Sequence, residues 1–238
     1  MLFWDLNYLF YMLPAFVLML LASWYVRSAY SRWSQVPVRS RITGYEAVQR
    51  LLARSGLYGI RLEGVAGELT DHYDPQDKVL RLSRSVAEGA SVAGLAVAAH
   101  ELGHALQDYE GYFPLRFRSA LVPMVNIGSN LGWILIMVGL FLAASGAAFG
   151  VQVAWLGVLA FAGGAVFALA TLPVELDASR RAMALLTQTG LIQTEEEQRG
   201  VRQVLNAAAL TYVAGLATAL LQLLYYVSLV SGLGRRDE

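Results

Sequence analysis

From Ser119 to Val174 the chain carries no charged residue. The hydrocarbon core of a bilayer is crossed by about 20 apolar residues in a helix. This run is too long for one crossing and fits two, with a break in "AASGAAFGVQ", Ala143 to Gln152. Spans are therefore predicted near Val122–Ala144 and Val151–Leu172. Leu6 to Val26 and Gln203 to Gly234 are also uncharged. Each holds one further span, the last at about Ala208–Leu229, so four transmembrane helices are expected. Composition agrees: 56% of residues are hydrophobic and 15% charged, against about 25% charged in soluble domains.

No basic residue precedes the first span and no A-x-A cleavage site follows it, so it reads as a retained anchor rather than a signal peptide. Tyr8, Tyr11, Trp24 and Tyr25 suit the interfacial belts. Net charge is zero, which gives no pull toward nucleic acid. The absence of cysteine excludes disulfides and cysteine–zinc sites. Arginines set the orientation. Arg27, Arg32, Arg39 and Arg41 follow the first span, Arg116 and Arg118 precede the second, and Arg180 and Arg181 follow the third. Asp5 alone marks the amino terminus, and the tail "RRDE" is balanced. The positive-inside rule then places the first and third loops in the cytoplasm. The expected protein is multi-pass in the cell membrane, with the bilayer as one partner.

The long first loop reads as a small α+β domain. "TGYEAVQRLLARSG" is a helix with a capping box, Thr43 to Glu46, and a closing Gly56. "IRLEGV" and "GELTDHYD" read as strands, "DPQD" as a turn with Pro75 at its second position, and "KVLRLS" as the hairpin partner. Ser91 caps a helix running to about Asp108. In the third loop, "VELDASRRAMALLTQTG" is a helix ending at Gly190, and Thr194 caps the last helix. The expected organisation is an anchor at 1–26, a cytoplasmic domain at 27–118 and a two-span hairpin at 119–174. A cytoplasmic helical segment at 175–203 and a last span with its tail at 204–238 complete it.

Two of the chain's three histidines, His100 and His104, lie in the helix of the first loop, with Glu101 between them. Residues four apart share a helix face, so both imidazoles can bind one metal ion while Glu101 reaches a water beside it. H-E-x-x-H on a helix is a specific signal of a zinc hydrolase. Neutral imidazole suits zinc, and an open coordination position holds a water whose pKa the metal lowers toward about 7. A carboxylate beside it serves as general base. Two core histidines spaced by chance are the bland alternative. Ala98, Ala99, Gly103 and Ala105 keep bulk low there, and Glu101 has no place in that alternative.

A third protein ligand is needed. His72, Asp108, Glu110 and Glu175 are candidates, and Glu175 is the attractive one because the topology puts it on the same side as the histidines. Gln107 and Glu110 stand where the metzincin pattern has glycine and histidine, so that class fails. A site-two-type protease fails as well, because the uncharged stretch before Glu101, Gly89 to His100, is too short to span.

"DHYDPQDKVLRLS", "AAHELGHALQ" and "LPVELDASRRA" together resemble the YugP-type membrane zinc metallopeptidases, and more distantly the HtpX-like and prenyl-protein membrane gluzincins. The resemblance covers most of the chain. It implies a zincin-like catalytic domain, Zn2+ held by His100, His104 and Glu175, Glu101 as general base, and a cytoplasm-facing proteolytic site. Broader gluzincins often carry aspartate four residues after the glutamate ligand; Ser179 stands there, leaving open whether Ser179 or Asp177 orients a histidine.

His72 has two readings of equal weight: a donor to the oxyanion, a role open to Tyr73 as well, or a strand histidine fixing the hairpin through Asp74. The expected function is a membrane-anchored zinc endopeptidase acting on membrane or membrane-proximal polypeptides. The non-enzyme rival is a metal-binding scaffold or chaperone, whose structural site would be closed by four protein ligands. Single cysteines introduced at Gln76 and Gln198 test the topology. Both should be labelled only from the cytoplasmic side; labelling from opposite sides would separate Glu175 from the histidines.

Overall fold

A computed structural model describes residues 6–234. Asp5 and the "RRDE" tail, both used in the charge count, lie outside the described residues. Ten elements follow in order: α1 (Leu6–Ser34), α2 (Gly44–Ser55), β1 (Arg61–Val65), β2 (His72–Asp74), β3 (Val79–Ser83), α3 (Arg84–Glu88), α4 (Val92–Tyr109), α5 (Phe113–Ala144), α6 (Gly150–Gln188) and α7 (Glu195–Gly234). Helices dominate, and α1, α5, α6 and α7 are each long and apolar enough to cross a membrane.

The chain divides into two compact units. One comprises Met1–Leu21, Phe117–Thr171 and Tyr212–Glu238; the other comprises Ala22–Arg116 and Leu172–Thr211. In the first, α5 and α6 approach through small residues. A methyl group on Gly157 would lie 2.6 Å from the Ile136 nitrogen, and one on Gly132 would lie 2.8 Å from the Phe161 nitrogen. Lipid tails are as apolar as leucine, so helices in a bilayer associate by such close packing rather than by hydrophobic exclusion. Ile136, Ala154, Val158 and Val230 form the buried centre of this unit.

The second unit has the polar elements. Thr43 and Glu46 form the predicted capping box, and Gly56 closes α2 in the left-handed region at φ 65. The sheet has order β1-β3-β2, with β1 parallel and β2 antiparallel to β3. Asp74 builds the predicted turn by accepting from the Gln76 and Asp77 amides at 3.0 and 3.3 Å. The strand read over "GELTDHYD" is short, because Gly67 (φ 102) and Leu69 (φ 56) turn the chain before His72. The β2 strand is therefore a three-residue edge. β3 is central, and its Val79, Leu80, Leu82 and Ser83 are buried. Ser91 caps α4 by accepting from the Gly94 amide at 3.1 Å. Leu51, Leu80, Leu82, Val86, Leu95, Leu102 and Leu186 form one core around α4, each worth about 1.5–3 kcal/mol of burial.

The predicted loop helix after the third span is not a separate element: α6 runs unbroken from Gly150 to Gln188 through Pro173. Proline lacks the N–H that would bond the carbonyl four residues back and normally breaks a helix. Transmembrane helices tolerate it where neighbouring groups satisfy the backbone. Continuity places Glu175 on a rigid helix rather than at a loop end. Likewise α1 and α5 extend past their apolar runs, to Ser34 and back to Phe113. Pro114 sits in the first turn of α5, where its missing N–H costs nothing.

Helices α4 and α6 meet at Gly103. A Cβ there would lie 2.6 Å from the Ala178 carbonyl oxygen and 3.1 Å from its Cα. Alanine in a helix interior is ordinarily better than glycine by roughly 0.5–1 kcal/mol. Here the clash is with backbone and reverses the sign. Gly103→Ala should destabilise the detergent-solubilised protein by about 1–3 kcal/mol, read as a lower melting temperature. Gly163→Ala, with nothing within 4 Å of the added carbon, should not.

Candidate metal centre

Gly103 brings α6 close beside the two histidines of α4, one turn apart on the same face. Their Nε2 atoms lie 3.3 Å (His100) and 3.4 Å (His104) from one oxygen, Glu175 Oε2. The ligand-capable atoms of the three residues all lie within 4.8 Å of one another. Both imidazole side chains are 12% exposed and the Glu175 side chain 3%. Separations of 3.3–3.4 Å are long for N–H···O bonds. Two ligands about 2.0–2.1 Å from a tetrahedral zinc ion are separated by about 3.3 Å. The two nitrogen-to-oxygen separations therefore match the spacing of two zinc ligands better than that of hydrogen bonds, and the His, His, carboxylate donor set could hold a zinc ion. Among the described residues this is the group that could hold a metal; His72, Asp108 and Glu110 are not in it.

The other ring nitrogens are held from behind. His100 Nδ1 lies 3.2 Å from Ser179 Oγ, and His104 Nδ1 lies 3.0 Å from Gln107 Oε1. Gln107 donates in turn to the Val174 carbonyl at 2.8 Å and to Asp177 Oδ2 at 3.0 Å. Arg181 completes the chain, donating to Asp177 at 2.6 Å and to Glu110 at 2.7 Å. Such outer contacts fix ring orientation and tautomer at metal sites. Ser179 thus bonds one histidine, and Asp177 reaches the other only through Gln107. Glu110, weighed as a ligand, pairs with Arg181 instead. For His104, burial pulls the pKa down, but the Glu175 carboxylate and the nearby Glu101 charge outweigh it and the net direction is up.

Glu101 is 9% exposed and lies outside the three-residue group. Its Oε2 accepts from the Tyr73 backbone N–H of edge strand β2 at 3.1 Å. Burial pushes its carboxyl pKa up, against the opposing pull of the two histidines. The Tyr73 hydroxyl donates to Asp108 Oδ2 at 2.6 Å. Glu101 and Asp108 are two turns apart on one face of α4, so Tyr73 staples β2 to that face at both points. Lys78 pairs with the same Asp108 oxygen at 2.6 Å, which leaves Asp108 committed away from the metal group. Burial and the Asp108 carboxylate push the Tyr73 phenol pKa well up, so it remains a donor. His72, the next residue along, is exposed; its Nδ1 lies 2.8 Å from the Thr70 carbonyl oxygen and its Nε2 3.4 Å from an Arg81 nitrogen. Asp74 is held by Arg81 at 3.1 Å, not by His72.

Gln107 and Lys78 were missed as site residues by sequence reasoning, and Tyr73 was weighed there only as an oxyanion donor. Gln107 had a signal, since it follows the second histidine by three residues and so lies on nearly the same face. Lys78 and the Tyr73–Asp108 bond had none, because Asp108 is reached only across the fold.

Two imidazoles and a carboxylate that could hold a metal ion thus stand on one helix pair, in a chain with four helices long and apolar enough to cross a membrane. The family model described as "Putative neutral zinc metallopeptidase" matches residues 8–231, and the chain belongs to that family. It is 40% identical over 231 residues, 97% of this chain and 99% of the other, to the "Putative membrane protease YugP" of Bacillus subtilis (strain 168). No solved structure matches.

The Tyr73 staple gives a prediction. Tyr73→Phe removes the bond to Asp108 and leaves the backbone bond to Glu101 possible. Stability should fall by about 1 kcal/mol, with Glu101 and the metal group still in place. A loss of metal binding in this variant would mean that the staple supports the whole centre.

Proposed function

We propose that the protein is a membrane-embedded zinc endopeptidase whose zincin-like catalytic part hydrolyses peptide bonds in membrane or membrane-proximal polypeptides. The observation that carries the reading is that His100 Nε2 and His104 Nε2 both approach Glu175 Oε2, at 3.3 and 3.4 Å, with the ligand atoms of all three residues within 4.8 Å of one another. Membership of the zinc metallopeptidase family and the likeness to a membrane protease support it. These three residues hold the ion, and Ser179 and Gln107 orient the rings. Zinc, when bound, supplies Lewis acidity toward a water and toward the scissile carbonyl.

Glu101 does the proton work. Its carboxylate accepts a proton from the attacking water and delivers it to the leaving amine nitrogen. Burial raises its pKa, which makes the carboxylate a stronger base than a free one, and the carboxyl so formed can return the proton. Tyr73 holds one carboxylate oxygen by its N–H, which fixes the direction of the other. His72 is proposed as a hairpin residue, on the strength of its bonds to Thr70 and Arg81, rather than as an oxyanion donor. Arginine asymmetry supports a cytoplasm-facing site in a plasma-membrane protein. A closed scaffold site would want four protein ligands; the three-residue group favours an open, catalytic one.

Two substitutions separate the roles. Glu101→Gln keeps shape but accepts no proton; the purified variant should bind zinc like wild type and lose about 10²–10⁴-fold in peptide cleavage. Glu175→Gln offers a neutral amide, a poorer donor to a divalent cation, and should lose zinc by more than the roughly 10–100-fold of an outer contact. Full zinc in Glu175→Gln would sink the ligand assignment, and an active Glu101→Gln would sink the enzyme reading.

A further inference from the structure

Gln107 is the largest polar side chain among those fully buried, at 0% exposure, in a core otherwise filled by leucine, isoleucine and valine. Burying an amide costs several kcal/mol unless its groups are bonded. Every polar atom of this one is used. The oxygen faces His104 Nδ1 at 3.0 Å, and the nitrogen faces the Val174 carbonyl at 2.8 Å and Asp177 Oδ2 at 3.0 Å.

The direction of the amide follows from its partners. Val174 O and the Asp177 carboxylate can only accept, so both N–H groups of Gln107 must point at α6. Rotating the amide by half a turn would set its oxygen against two acceptors. The oxygen is therefore left facing His104, and it can only accept. His104 Nδ1 must then carry the hydrogen, and in the neutral ring Nε2 is left with its lone pair. Nε2 is the atom 3.4 Å from Glu175 Oε2. The two acceptors on α6 flank Glu175 in sequence, so the helix that carries the carboxylate also dictates the tautomer of the histidine opposite it.

We infer that Gln107 is a positioning residue of the metal centre: it selects the Nδ1–H tautomer of His104 and locks that ring to the α6 segment carrying Glu175. The inference rests on the metal-site reading above. Asp177 belongs to the same device as the group that orients the amide, and Arg181, bonded to it at 2.6 Å, keeps that carboxylate in place. Ser179, which meets His100, is a hydroxyl that can donate or accept and so imposes no tautomer; the selection is confined to His104.

The test uses the full chain in detergent. Zinc affinity is measured by competition with a chromogenic chelator, and the ligand field by the visible spectrum of the Co2+-loaded protein. Gln107→Met removes the bonds at similar volume and should weaken zinc binding by about 10–100-fold and shift the cobalt bands. The paired exchange Gln107→Glu with Asp177→Asn keeps the net charge. It returns an acceptor to His104 and a donor–acceptor bond between positions 107 and 177, at the loss of the bonds to the Val174 carbonyl and from Arg181, so it should recover part of the affinity and bring the cobalt bands back toward their wild-type positions. A merely structural Gln107 would lower the melting temperature of the metal-free protein but leave the cobalt spectrum of the folded fraction unchanged, and that result overturns the inference. So does wild-type zinc affinity in Gln107→Met, or failure of both variants to fold. Wild type binding neither Zn2+ nor Co2+ would overturn the metal-site reading itself, and this inference with it.

Discussion

The backbone of α6 passes against Gly103 of α4 with no room for a methyl group, and the candidate metal centre depends on that approach. A side chain at 103 would force the helices apart, with His104 next to it in sequence and Glu175 one turn before Ala178. Imidazole and carboxylate reach only a few ångströms from their helices. An added separation of one ångström would carry Glu175 beyond the distance at which it shares an ion with two histidines. The same approach brings Gln107 to the Val174 carbonyl and Ser179 to His100.

Close packing of polar helices has a cost, and the protein meets it with bonds. Glu101, Glu175, Asp177 and Gln107 are all buried. Among the described residues no buried side-chain nitrogen or oxygen lacks a hydrogen-bond partner. The arrangement is continuous from His104 through Gln107, Asp177 and Arg181 to Glu110. Low local dielectric strengthens each link and makes any broken one expensive. Such a network holds its members in one geometry, as a site with preset ligand directions requires. Strand β2 is tied to the same helix through Tyr73, so the edge of the sheet and the proposed base move together.

The continuous α6 explains how an apolar span and a polar site share one element. Through residue 174 the helix is uncharged, and from Glu175 onward it carries Glu175, Asp177, Arg180 and Arg181. A helix is rigid over a few turns, so the carboxylate is placed by the packing of its helix against α4 rather than by a loop. Pro173 stands at the change from one regime to the other without interrupting it.

What the sequence determined was local or periodic. Three uncharged runs with room for four spans, the Thr43 and Ser91 caps, the Asp74 turn and the two histidines on one helix face all follow from patterns local in the chain. Such spacings are legible because 3.6- and 2-residue periods fix which side chains share a face. The short β2 strand and the unbroken α6 were not legible, since a left-handed Leu69 and a tolerated Pro173 depend on neighbours far along the chain. The sequence favoured Glu175 over His72, Asp108 and Glu110 by topology and family resemblance, but spacing could not place it beside the histidines. His100 and Glu175 are 75 residues apart, and no period relates them. Only packing could bring these residues together: Gly103 against Ala178 places the Glu175 carboxylate beside both histidines, while Tyr73 with Lys78 holds Asp108, and Arg181 holds Glu110, in other pairings.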